Sequence, residues 1–247
     1  MTASATALVI VLQPFSFLSL PSPIPTQLSN LGVAAPVLAA DGVTYKPPIR
    51  PRPLGRTSGT GSRGCDSKAL PAPLTLLVPG SHVGQTVSGR PTFFWYSPDT
   101  TPVKFALVES GVPRPILEKT VQVTKPGIMQ LKLPKDAQEL TVGKEYRWSI
   151  SIACNPNRPS NDTFTQSFIE RVALNAELSN QLEAAKSDRE RARVFAKAGM
   201  WYDALATLAQ ASTVQPSVHT DFLLLLDQVG LTEITTRERI IDQAAKP

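Results

Sequence analysis

The chain has 247 residues, 42% of them apolar and 18% charged, with a net charge of +5. That apolar content allows a core in a folded portion, and so mild a positive charge slightly favours anionic surfaces without by itself indicating nucleic acid. The two cysteines have no clustered His or Asp beside them in sequence, so they do not make a zinc site.

No charged residue precedes Asp41, and residues 5–20 read ATALVIVLQPFSFLSL. Residues 34–40, AAPVLAA, place small side chains at Ala39 and Ala40 just before Asp41-Gly42. An apolar stretch followed by a small-residue site is the pattern of a secretion signal, expected over 1–40 with cleavage near Ala39 or Ala40. The basic residues usual at the start of such a signal are missing. The apolar run is interrupted by Pro14 and is short of the roughly 20 residues a spanning helix needs. No transmembrane helix is expected in the mature chain.

Residues 46–64 read KPPIRPRPLGRTSGTGSRG. Lys46, Arg50, Arg52, Arg56 and Arg63 carry charge with no acid between them, so they are the residues expected to touch an anionic surface. Proline extends this stretch and Gly/Ser loosens it, which predicts a linker over 41–72 that buries little.

From Pro73 to Val172 strand and turn signals alternate. Leu74–Val78, Pro91–Tyr96, Val103–Val108, Ile116–Val123, Ile128–Leu133, Glu145–Cys154 and Thr163–Val172 are apolar or alternate with period two. Seven such segments without a helical period predict an antiparallel β-sandwich over 73–172, of immunoglobulin or fibronectin III type. Tyr146, near the start of a late strand, has the placement of a tyrosine corner. Trp95 and Trp148 lie on strands, either in the core or as an aromatic platform for a glycan. Cys154 closes one strand and Cys65 lies just before the first. In an exported chain this pair is expected to form a disulfide worth roughly 3–5 kcal/mol.

After Ala173 the period becomes helical, with Leu174, Leu178 and Leu182 four apart. Ser187 and Glu190 have capping-box spacing. Ala192, Phe195, Gly199, Trp201, Ala204 and Pro216 match much of one tetratricopeptide unit, without a second copy. A small helical tail over 173–247 is therefore expected, either capping the sandwich or docking a partner through that hairpin. No nucleophile elbow, phosphate loop or cofactor fingerprint occurs, so neither an enzyme nor a cofactor is expected.

The signal-like start, the Arg/Pro/Gly stretch, Cys65, LTLLVPGSHVGQTVSGRPTFFWY and EYRWSISIACNPNRPS together resemble a cyanobacterial domain-of-unknown-function family, number 928. The resemblance spans about Arg56 to Leu231 and rests on Cys65, Pro79, Gly84, Pro91–Trp95, Tyr146–Cys154 and Pro156. It implies an exported envelope protein and carries no catalytic residue across. The expected function is a non-enzymatic cell-envelope interaction or scaffold module in the periplasm or envelope. Its partner would be another envelope protein or an anionic wall polymer, and not nucleic acid. A glycan-binding sandwich using Trp95 and Trp148 is the alternative, and a hydrolase with an unrecognised carboxylate site the third.

Overall fold

Apolar residues at alternate positions make a strand bury one face, whereas an unbroken apolar run requires cover on both. Both patterns occur in the computed structural model, which describes residues 42–48, 57–60, 73–153 and 162–244, with the backbone alone for 57–60. The strands are β1 (Thr57–Thr60), β2 (Thr75–Leu76), β3 (Gly84–Thr86), β4 (Thr92–Ser97), β5 (Val103–Glu109), β6 (Leu117–Val121), β7 (Gly127–Lys132), β8 (Glu145–Ile152) and β9 (Thr163–Arg171). The helices are α1 (Ala176–Ala184), α2 (Asp188–Lys197), α3 (Trp201–Ser212), α4 (Pro216–Asp227) and α5 (Thr232–Ala244).

Two mostly antiparallel sheets result. One has the order β1-β9-β8-β5-β6, and β3 adds to the β9 edge; the other has the order β2-β4-β7. Each of the seven segments read as strands overlaps one. Two strands were not foreseen. β3 is a three-residue polar segment running parallel to β9, opposite Ile169–Arg171. β1 pairs antiparallel with Thr163–Gln166 of β9, inside the stretch expected to be a linker. A polar edge strand is held by backbone ladder bonds and leaves no apolar alternation to read.

The strongest apolar run shows how the layers stack. On β4, Phe93 meets Phe105 and Trp148 of the larger sheet, with ring centroids 5.1 and 4.9 Å away. Its neighbour Phe94 points the other way and meets Phe222 of α4 at 5.9 Å. The smaller sheet is thus sandwiched between the larger sheet and helix α4. That is why TFFWY shows no alternation, and why Trp95, Trp148, Phe93 and Phe105 are all fully buried.

The helical segment is not a separate tail. Residues 40–247 form one compact unit, and α3 drives two aromatics into the strands. Trp201 Nε1 donates to the Leu77 carbonyl at 3.0 Å, and Trp148 Nε1 donates to the Tyr202 hydroxyl at 2.9 Å. Gly84 of β3 makes room, since a Cβ there would stand 2.8 Å from Tyr202 Cε2. The chain order of strands then helices is read correctly from period, and of the roles expected for the helices the structure shows them packed on the sandwich.

Local signals behave as expected. Ser187 caps α2 by accepting from the Glu190 N–H at 3.2 Å. Glu190 reaches back one residue further than in the usual box, accepting from Lys186 N at 2.6 Å. Arg189 of α2 donates to Asp221 of α4 at 3.0 Å, and Asp221 is buried.

Tyr146 forms the expected corner. Its hydroxyl accepts from the Thr141 N–H at 2.7 Å, and its ring is fully buried. Tyr146→Phe keeps the ring and strips the acceptor from that amide. The expected cost is about 1–2 kcal/mol, read as a lower urea midpoint at unchanged m-value.

Candidate functional site

The segment 42–48, GVTYKPP, runs as an extended strap. Lys46 and Pro47 each precede a proline, which holds both in the extended region. Val43 and Tyr45 point inward and are buried, while Gly42, Thr44 and Lys46 are exposed. The linker expected over 41–72 is thereby corrected at its start. The Val43/Tyr45 alternation is too short to register as a strand signal, yet it suffices once a receiving surface exists.

That surface reads the strap through its main chain. Gln228, the residue ending α4, accepts from the Tyr45 N–H at 2.8 Å and donates to the Val43 carbonyl at 2.8 Å. The carbonyl of Ala196, in α2, accepts from the Lys46 N–H at 3.0 Å. Gly199, with φ of 81°, ends α2 in the left-handed region that favours glycine. A Cβ there would lie 3.3 Å from the Lys46 carbonyl oxygen, so glycine also permits the close approach.

The Tyr45 side chain fills an aromatic slot. It stacks on His82, with centroids 5.6 Å apart, and meets the edge of Trp201 at 5.0 Å. Its hydroxyl shares a 2.7 Å hydrogen bond with His82 Nε2, and Ser81 Oγ lies 3.1 Å from His82 Nδ1. Burial holds the His82 imidazole below its usual range and pushes the Tyr45 phenol well above its own. Both are neutral at pH 7. Ser81, His82 and Tyr45 have the outline of a nucleophile, base and orienting group. A neutral phenol, however, cannot offset the charge of an imidazolium as a carboxylate does. These bonds fix the ring and the strap. A cleft of about 380 Å³ remains between the strap, Ser81, His82 and Gln228.

Beside this slot, Asp203 joins α3 to the turn after β3. Its Oδ2 accepts from the Val87 N–H at 3.1 Å. Burial pushes the Asp203 carboxyl up to about 6, against the pull of bonds from Thr86 and nearby backbone amides. A further open cleft, about 480 Å³, lies over the β5–β6 turn and is bordered by Arg147 and Phe168 on the outer face of the larger sheet.

The residues singled out in the sequence are distributed as follows. Trp95 and Trp148 are 0% exposed, so of the two fates weighed for them the structure shows core packing, and the alternative of a glycan platform on these two residues is removed. Ala192, Phe195, Gly199, Trp201 and Ala204 are buried, so the hairpin spends these residues within its own chain. Pro216 is exposed at the first turn of α4. Lys46 is exposed. Arg50, Arg52, Arg56, Arg63, Cys65 and Cys154 lie outside the described residues. Among the described residues no group of three or more His, Cys, Asp or Glu is placed to hold a metal, and no helix is long and apolar enough to cross a membrane. Sequence reasoning missed Tyr45, His82 and Gln228, which meet only across long separations.

A family model described as Domain of Unknown Function (DUF928) matches residues 58–239. Comparison with curated proteins gives no match. Among solved structures, a DUF3244 family protein with an immunoglobulin-like β-sandwich fold from Bacteroides vulgatus aligns at 6% identity and a TM-score of 0.27. The alignment covers 48% of this chain and 96% of that one.

Proposed function

From the premise that the chain belongs to the DUF928 family, we propose that it is an exported, non-enzymatic interaction or scaffold module of a cyanobacterial cell envelope. The strap supports this reading most directly. Val43 and Tyr45, the first described apolar residues after the small-residue site, are bound to the folded unit. A mature chain starting at Ala40 or Asp41 would begin at its own core, with the preceding apolar stretch removed. The non-enzymatic part rests on the chemistry of the slot, where the ring nitrogens of His82 are occupied by a neutral phenol and a neighbouring hydroxyl. The basic residues Lys46, exposed within the strap, and Arg50, Arg52, Arg56 and Arg63, which follow it in sequence, suit an anionic wall polymer or an acidic face of another envelope protein. An immunoglobulin-like sandwich and a tetratricopeptide-like hairpin remain the finer description of the fold under this reading. The Cys65–Cys154 pair would be oxidised outside the cytosol.

One experiment tests export and oxidation together. Mass spectrometry of the protein purified from its host under alkylating, non-reducing conditions should give an N-terminus at Ala40 or Asp41, with both cysteines refractory to alkylation until reduced. Recovery of intact Met1 with two alkylated cysteines, from soluble cytosol, overturns the proposal.

A further inference from the structure

The strap is bound the way a protein binds a peptide. Its two inward side chains, Val43 and Tyr45, occupy successive sites on one side of an extended backbone, and the intervening positions face out. Main-chain groups of residues 43, 45 and 46 are all read, two by the Gln228 amide and one by the Ala196 carbonyl. Backbone hydrogen bonds for affinity and alternate pockets for selectivity are the two ingredients of extended-peptide recognition. The receiving surface is contributed entirely by residues far along the chain: His82, Ala196, Gly199, Trp201 and Gln228. Sequence separations of 183 and 185 between Gln228 and the strap mean that no local chain geometry links ligand to receptor.

From this juxtaposition we infer that the groove between the β2–β3 turn and the ends of α2 and α4 is a peptide-binding site, occupied in cis by residues 42–48, and that the same segment of a second copy can fill it in trans. The occupant is set by the contacts themselves. Every hydrogen bond and ring contact made in cis is available unchanged to the identical segment of another chain, the condition under which element exchange between protomers costs little. The groove selects an aliphatic residue, any residue, then tyrosine followed by a residue whose amide can donate. Tyrosine is preferred to phenylalanine there, because His82 Nε2 would lose its 2.7 Å hydrogen bond to the Tyr45 hydroxyl. Tethering favours the cis form at low concentration, since effective concentrations of linked segments are on the order of mM. Exchange is therefore expected where chains are crowded or where the cis strap is weakened. The inference does not depend on export and stands or falls separately from it.

The test uses the full chain and a fluorescently labelled synthetic peptide of residues 42–48. Tyr45→Ala leaves the groove intact and removes the anchor of the cis strap. This variant should bind the peptide at least about tenfold tighter than wild type, because a filled groove lowers apparent affinity by the fraction of molecules in which it is open. A peptide carrying the Tyr45→Ala change should not bind. Val43→Ala is the second variant and weakens the strap without touching the aromatic slot; it should behave likewise, to a smaller degree. Mixing Tyr45→Ala chains with Gln228→Ala chains, which keep a good strap and lose the clamp, should give a heterodimer in analytical ultracentrifugation. Equal peptide binding by wild type and variants, or no binding by folded variants, overturns the site. Unfolding of both strap variants overturns it too, since a separable ligand can be weakened without melting its receptor. Peptide binding without heterodimer at concentrations above the peptide Kd overturns the second copy as occupant.

Discussion

Trp201→Ala is expected to lower stability by about 3–5 kcal/mol, with strands and helices melting in one transition. The indole is 0% exposed. Its loss opens a cavity where α3, the strap and the start of the smaller sheet meet. It also orphans the Leu77 carbonyl, whose bond to Nε1 is 3.0 Å, and strips the edge contact from Tyr45 at 5.0 Å. For a compact unit of this size each kcal/mol moves the melting temperature by roughly 2–4 °C, so a shift of about 6–20 °C is expected. Helical signal at 222 nm and near-ultraviolet aromatic signal should fall together. Loss of the helical signal ahead of the aromatic one would show that the helices are a detachable tail, contrary to the interlock through Trp201 and Tyr202. Trp201→Phe, which retains most of the volume but not the bond to Leu77, should cost less.

The second large effect is a pH dependence centred on Asp203. Its carboxyl titrates at about 6 in the folded chain, against 3.8 for the free group. Between those values the folded state holds more protons than the unfolded one. Stability therefore falls as pH rises from about 4 to about 6, by about 3 kcal/mol for this group alone. Below that window the group is protonated in both states and the penalty is absent; above it the penalty is complete. Asp203→Asn is close to isosteric and retains an oxygen to accept from Val87 N–H. The variant should lose this slope. What remains combines a fall of the same sign from Glu238, whose carboxyl burial also raises, with a contribution of opposite sign from His82, whose imidazole burial lowers. A depressed histidine contributes stability that is lost as pH falls below its unfolded value of about 6.5. Urea midpoints for both proteins at intervals from pH 4 to 7 separate the Asp203 contribution from the rest. A wild-type profile with no descending limb between pH 4 and 6, or an unchanged limb in Asp203→Asn, would rule out a desolvated carboxyl at this junction.

The two effects meet at one place, the seam between α3, the β3 edge and the strap. Trp201 and Tyr202 supply apolar burial there, Asp203 supplies a polar tie to the turn after β3, and Gly84 clears the path for Tyr202. Damage to this seam should therefore also release the strap, since Tyr45 rests against Trp201. The peptide-binding assay and the melting curves thus report on neighbouring faces of one structure.

Residue patterns alone determined a good deal. Period-two alternation in VKFALV and EYRWSISI located β5 and β8, because each strand has one dry and one wet face. The spacing of Tyr146 from Thr141 determined the corner, and Ser187 with Glu190 determined the start of α2, because these bonds close within a few residues. The switch from alternation to a four-residue period placed the change from strand to helix near residue 173. What the tertiary structure decided is everything that pairs distant residues without a repeating pattern. TFFWY reads as a strand, but that its second face is covered by α4 follows only from the packing of Phe94 on Phe222. Trp201 reads as a helix-hairpin residue, and only the fold turns it into the sandwich. Val43 and Tyr45 sit among prolines and basic residues, in a stretch whose composition predicts no burial. Their burial arises because Gln228, His82 and Trp201 converge from three separate elements to form a surface that no local period encodes.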